Sequence, residues 1–128
     1  MDNYFIGLEC TYCDKTYSGD KPIRTCHNCD KVLYPQYDLD KARKHLDRSK
    51  FSSRIASMWR YFEIMPVLNE SNIVSLGEGF TPLLEANRLG ESIGMSKLLI
   101  KDEGLNPTAS FKARGLSAAV SKAKELGL

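Results

Sequence analysis

Residues 106–115 read Asn-Pro-Thr-Ala-Ser-Phe-Lys-Ala-Arg-Gly and lie near the C-terminal end of a chain of 128 residues. Pro107 fixes its own φ and pushes Asn106 out of the α region, so the stretch opens as a turn. The hydroxyl of Ser110 can accept an orphan amide of a first helical turn, which makes it a good N-cap. A helix is expected over 111–126, with Gly127 supplying the residue that commonly ends one. At about 100° per residue, Lys112 falls on one line with Leu116, Ala119, Ala123 and Leu126. Arg114, Ser121 and Glu125 take the opposite face, where Arg114 suits a structural ion pair. Two readings of Lys112 follow. Either it is buried on the apolar stripe beside the positive helix end, where its amine loses its proton readily and becomes a nucleophile. Or it snorkels from the first turn to water.

Upstream, residues 97–101 (Lys-Leu-Leu-Ile-Lys) read as a short strand with residues 98–100 buried. A helix is expected over 85–93, closed by Gly94, and residues 75–84 (Ser-Leu-Gly-Glu-Gly-Phe-Thr-Pro-Leu-Leu) form a shaped loop. Helix, strand, loop and helix in this order open an α/β unit, although a parallel sheet needs more strands than these. Further back, Ile55, Met58, Trp59, Phe62 and Met65 recur at helical spacing until Pro66, a packing stripe. Leu39, Ala42 and Leu46 predict a short helix capped by Asp38, and residues 49–53 and 69–75 read as connectors.

All four cysteines fall in the first 30 residues, as Cys10-x-x-Cys13 and Cys26-x-x-Cys29. A two-residue gap lets both thiolates of a pair face one ion, and two pairs complete a closed tetrahedral S₄ site. The pairs sit in a short repeat, Cys10-Thr-Tyr-Cys-Asp-Lys15 and Cys26-His-Asn-Cys-Asp-Lys31. Asp14 and Asp30 fall where such knuckles tend towards the left-handed region, and the lysines offset thiolate charge. Strands over 5–9 and 32–37 would make this a zinc-ribbon-like module with a structural zinc on Cys10, Cys13, Cys26 and Cys29. The competing reading is disulfides or free thiols.

Composition narrows the class. Hydrophobic residues make up 42% and charged residues 27%, as in a globular protein. No apolar run approaches the ~18 residues of a membrane span, and no export signal opens the chain, so the expected location is cytoplasmic. Each of the segments 1–50 and 51–128 carries nine basic and eight acidic residues, which is not the basic footprint of a nucleic-acid binder.

The stretches Ser-Leu-Gly-Glu-Gly-Phe-Thr-Pro-Leu-Leu, Leu-Leu-Ile-Lys-Asp-Glu-Gly-Leu-Asn-Pro-Thr-Ala-Ser-Phe-Lys-Ala-Arg-Gly and Met-Trp-Arg-Tyr-Phe-Glu-Ile-Met-Pro-Val resemble the threonine synthases, pyridoxal-phosphate enzymes of fold type II. The cysteine-rich start is similar to that of a subset of the family. The resemblance implies that Lys112 carries the cofactor covalently, with Phe111 beside it. The substrate would be a small amino acid, O-phosphohomoserine, converted with water to threonine and phosphate. Ser110 and Thr108 are candidates for lining the substrate pocket, or simply cap and turn. Ala109 and Ala113 depart from the Gly and Asp that the family's motif usually has there. Close alternatives are cysteate synthase and the serine/threonine ammonia-lyases; a non-enzymatic zinc-ribbon interaction module is another.

The implied organisation is α/β: a zinc-ribbon-like module over 1–38, a helical connector over 39–71, and over 72–128 the incomplete beginning of a fold type II domain. The family's glycine-rich phosphate cradle and ring-nitrogen partner are expected further along a longer chain, so this one is expected to be an N-terminal fragment, inactive alone. An uncovered strand edge and the Leu116 stripe predict self-association, with no nucleic-acid or membrane partner.

Overall fold

Phe-Ile-Gly-Leu-Glu-Cys forms β1 (Phe5–Cys10), the middle strand of an antiparallel sheet with β2 (Thr16–Tyr17) and β3 (Leu33–Tyr37) on its two sides. The structure is a computed structural model and describes residues 2–128. Leu8 stands opposite Tyr17 on one side and Pro35 on the other. Gly7 bulges the strand at φ 143°, and a Cβ there would meet the Tyr17 carbonyl at 2.7 Å. Asp38 caps α1 (Leu39–His45) as expected, its carboxylate accepting from the Lys41 amide at 2.8 Å.

The expected helix through Met58 and Met65 does not form. Residues Met58–Ile64 make 3₁₀ turns interrupted at Tyr61, and Ile55 is 68% exposed. The Ser57 hydroxyl accepts from the Trp59 amide, and the kink aims Met58, Trp59 and Phe62 at one core with Val67. Met65, Ile73 and Ala118 pack against that core. Asn3 fastens the N-terminal sheet to it, its amide group donating to the carbonyls of Phe62, Met65 and Val67 at 2.8–3.0 Å.

Further along, β4 (Leu83–Glu85) pairs antiparallel with β5 (Leu99–Lys101), and α2 (Asn87–Ser92) lies between them in sequence. Glu85 therefore belongs to a strand, not to the expected helix. Leu99 and Ile100 are exposed rather than buried, because no layer of the described residues covers the ribbon. Among the described residues no two strands pair parallel.

The last helix, α3 (Lys112–Glu125), forms where expected, with Gly127 at φ 74° just beyond it. Its buried face is the opposite of the one expected. Ala113, Ser117 and Ser121 are buried, while Leu116 is 60% exposed and Lys112 also faces outward. The reason is that partners distant in sequence satisfy the hydroxyls on that face. Ser117 accepts from the Trp59 indole at 3.0 Å and donates to the Val74 carbonyl at 2.7 Å. Ser121 accepts from the Val74 amide at 2.8 Å and donates to the Ser117 carbonyl at 2.7 Å. Small side chains let the helix approach closely, and their hydroxyls lose little on burial once paired.

Candidate functional site

The two cysteine pairs come together. Their four Sγ atoms lie within 4.8 Å of one another, with Cys10 to Cys29 at 3.4 Å and Cys13 to Cys26 at 3.5 Å. A tetrahedral ion with bonds of ~2.3 Å sets its sulfurs about 3.8 Å apart, so the cluster fits a metal of that kind. The two knuckles repeat each other in space as in sequence. Cys10 and Cys26 each donate their amide to a lysine carbonyl five residues on, at 2.9 Å. Each also accepts on Sγ the amide two residues on, from Tyr12 and Asn28, at 3.4 Å. Asp14 and Asp30 take φ 56° and 57°, the left-handed turn their short polar side chains tolerate.

The thiols differ in electrostatics. Burial pushes the Cys26 thiol up, but hydrogen bonds from the Tyr17 hydroxyl and the Asn28 amide outweigh it and bring it to about 6. Cys29 is pushed up to about 12 by burial, with the surrounding thiols adding to the effect. Four sulfurs packed this closely cannot all shed their protons without a cation among them, and the cluster could hold a metal ion. Tyr17 was not legible as part of it. Its Oη accepts from the His27 amide and lies 3.1 Å from Cys26 Sγ, oriented to donate to the sulfur. The only sequence signal was an aromatic four residues after Cys13.

The Lys112 turn is built differently. The Ser110 hydroxyl accepts from the Lys112 amide at 3.2 Å, but the N-cap is Phe111, one residue beyond the expected Ser110, and has no side-chain cap. Ala109 sits at φ 53°, which explains why Gly suits that place in the motif. Asn106 is buried and ties the turn to the 75–84 loop, accepting from the Gly79 amide at 3.0 Å. Arg114 forms the expected ion pair, both carboxylate oxygens of Glu103 accepting from its guanidinium at 2.6 Å. With Thr81 and Asn106 adding donors, that pair holds the Glu103 carboxyl far below the usual carboxylate range.

This bracing leaves Lys112 free. Its ammonium makes no ion pair or side-chain hydrogen bond among the described residues, and Phe111 beside it is 65% exposed. The burial on which a reactive amine was expected is absent here; the outward-facing reading holds for the described residues. An unencumbered primary amine at the start of a helix still fits an aldehyde cofactor. A cavity of about 320 Å³ opens between the 74–78 loop and α3, lined by Thr108, Ala113, Leu116 and Ser117. Thr108 thus faces a cavity; Ser110 does not line it.

Residues 74–127 match the family model described as "Pyridoxal-phosphate dependent enzyme". The chain is 44% identical over 119 residues to a threonine synthase of Methanocaldococcus jannaschii, covering 93% of this chain and 29% of that protein. It is 43% identical over 121 residues to one of Methanosarcina acetivorans, covering 94% and 29%. A threonine synthase of Halalkalibacterium halodurans is 47% identical over 76 residues, covering 56% and 21%. The chain spans under a third of the length of these relatives. The Lys112 turn thus lies inside the stretch that matches the pyridoxal-phosphate dependent enzymes, and nearly all of the chain is similar to threonine synthases.

Proposed function

We propose that the chain supplies the cofactor-bearing lysine of a pyridoxal-phosphate lyase of the threonine synthase kind, which converts O-phosphohomoserine and water to threonine and phosphate. The observation that carries this reading is the Lys112 turn itself. Asn106 and Arg114 near the lysine are spent on bracing, while its amine makes no ion pair or side-chain hydrogen bond among the described residues. Its support is the 43–44% identity to threonine synthases across nearly all of this chain.

Pyridoxal phosphate, when bound, supplies an electron sink that stabilises negative charge on the substrate's carbon. The chain's own part is narrower. Lys112 Nζ would hold the cofactor and would carry a proton to and from the reacting carbon. Phe111, exposed next to it, would pack against the cofactor. Ser110 and Thr108 offer hydroxyls to the substrate, Thr108 from the wall of the neighbouring cavity. The thiolate cluster binds zinc as a closed structural site of a zinc-ribbon-like module over 1–38, joined through 39–71 to the catalytic part over 72–128. The exposed Leu99, Ile100, Leu116 and Val120 support self-association of that part. No described helix is long and apolar enough to cross a membrane, and the cytoplasm is the proposed location.

Assays of phosphate and threonine release from O-phosphohomoserine test the reading in the protein as its gene expresses it. Turnover lost in Lys112→Ala is expected. Activity with phosphoserine and sulfite, or with threonine alone, would instead assign the protein to a neighbouring reaction.

A further inference from the structure

We propose that the chain holds a binding site for a small oxyanion of phosphate type, between the Met58–Ile64 turns and the β4–β5 ribbon. A cavity of about 450 Å³ opens there, and its wall includes Arg60, Tyr61, Phe80, Thr81, Lys101 and Arg114. Three of these are cations, and no carboxylate lines the cavity. Arg114 is neutralised by Glu103. Arg60 is not: it is 8% exposed and pairs with no carboxylate among the described residues. It donates to the Phe51 carbonyl, and its Nε has no partner. Lys101 donates to the Thr81 carbonyl at 2.7 Å, a neutral acceptor.

A buried cation with no counter-ion is among the costliest things a fold can keep. The fold also spends backbone strain here. Phe80 is held at φ 54°, a conformation unfavourable for a bulky residue, which lays its ring 4.7 Å from the Arg60 guanidinium. The ring stabilises and orients the guanidinium without cancelling its charge. An oxyanion seated between Arg60 and Lys101 cancels it, with the Tyr61 hydroxyl in the same wall; the Thr81 hydroxyl already donates to Glu103. The cavity has room for a phosphate ester as well as for free phosphate. Arg114 leaves α3 about 200° around from Lys112, so the site opens away from the lysine. The proposal is therefore independent of the cofactor reading.

The test is titration of the metal-loaded chain with inorganic phosphate at constant ionic strength, followed by the nitrogen-bound proton resonance of Arg60 Nε. Phosphoserine serves as the ester arm and chloride as the control. Saturable movement of the Arg60 signal is expected with phosphate and not with chloride. Lys101→Gln, whose side chain lies outside the core, should weaken binding about tenfold, the effect of one lost hydrogen bond to a charged group. Arg60→Gln should weaken it at least as much. Tighter binding of phosphoserine would assign the site to phosphate esters; equal binding would assign it to the phosphate group alone. A still Arg60 signal, or unchanged affinity in Lys101→Gln, would overturn the proposal.

Discussion

The thiolate cluster and the Lys112 turn are both short signature stretches, yet one closes on itself and the other does not. Every sulfur of the first comes from residues 10–29, and two nearly identical knuckles bring the four within 4.8 Å. The second places one reactive group outward and spends its neighbours on holding the turn still. Glu103, Arg114 and Asn106 brace the 75–84 loop, and Lys112 touches none of them through its side chain. A site whose groups are close in sequence is finished by local structure. A site that places one group on a rigid turn leaves its other groups to be supplied from elsewhere in the fold.

The largest expected effect separates the two regions. Stripping metal with a strong chelator, or Cys26→Ser, should remove stabilisation on the order of 10 kcal/mol from the N-terminal module. Hydrogen exchange should then rise sharply across Phe5–Cys10 and Leu33–Tyr37 and much less across Lys112–Glu125. Equal loss of protection in both would show that the regions fold as one unit through Asn3. Next in size is Phe62→Ala, which empties the core on which α3 rests. A loss of about 3–5 kcal/mol by urea unfolding is expected, with α3 now the more affected region.

A pH effect sharpens the account of the turn. Glu103 is held far below the usual range by Arg114, so its contribution is fully present above the unfolded value of ~4.3 and is lost as pH falls below that. Stability should therefore fall as pH drops below that value, and Glu103→Gln should flatten that acid limb; an unchanged limb would place the acid sensitivity elsewhere. The smallest effect concerns Ala109. Relieving its left-handed backbone with Ala109→Gly should stabilise the turn by about 1 kcal/mol, read from the denaturation midpoint. A loss instead would mean that Ala109 packs usefully where it stands.

What could be read in advance follows the same division. The knuckles, the left-handed Asp14 and Asp30, the Asp38 cap and the ends of α3 all depend on residues a few positions apart. The buried face of α3 could not be read, because Ser117 and Ser121 are satisfied by Trp59 and Val74, 43 to 58 residues away. Periodicity counts apolar residues and cannot see such partners, so it chose the Leu116 face. The 3₁₀ kink at Tyr61 was hidden for a related reason: its side chains keep helical spacing while its backbone does not. Tyr17 and Arg60 escaped notice as site residues because no neighbour in sequence marks their chemistry; one gains meaning from a sulfur, the other from a cavity.

The central claim concerns Lys112, and covalent mapping tests it most directly. The protein as its gene expresses it is loaded with stoichiometric pyridoxal phosphate, reduced with borohydride and digested for mass spectrometry. The account predicts that the label sits on Lys112 and is absent from Lys112→Ala. Label spread evenly over the other exposed lysines, with Lys112 unmodified, would contradict it.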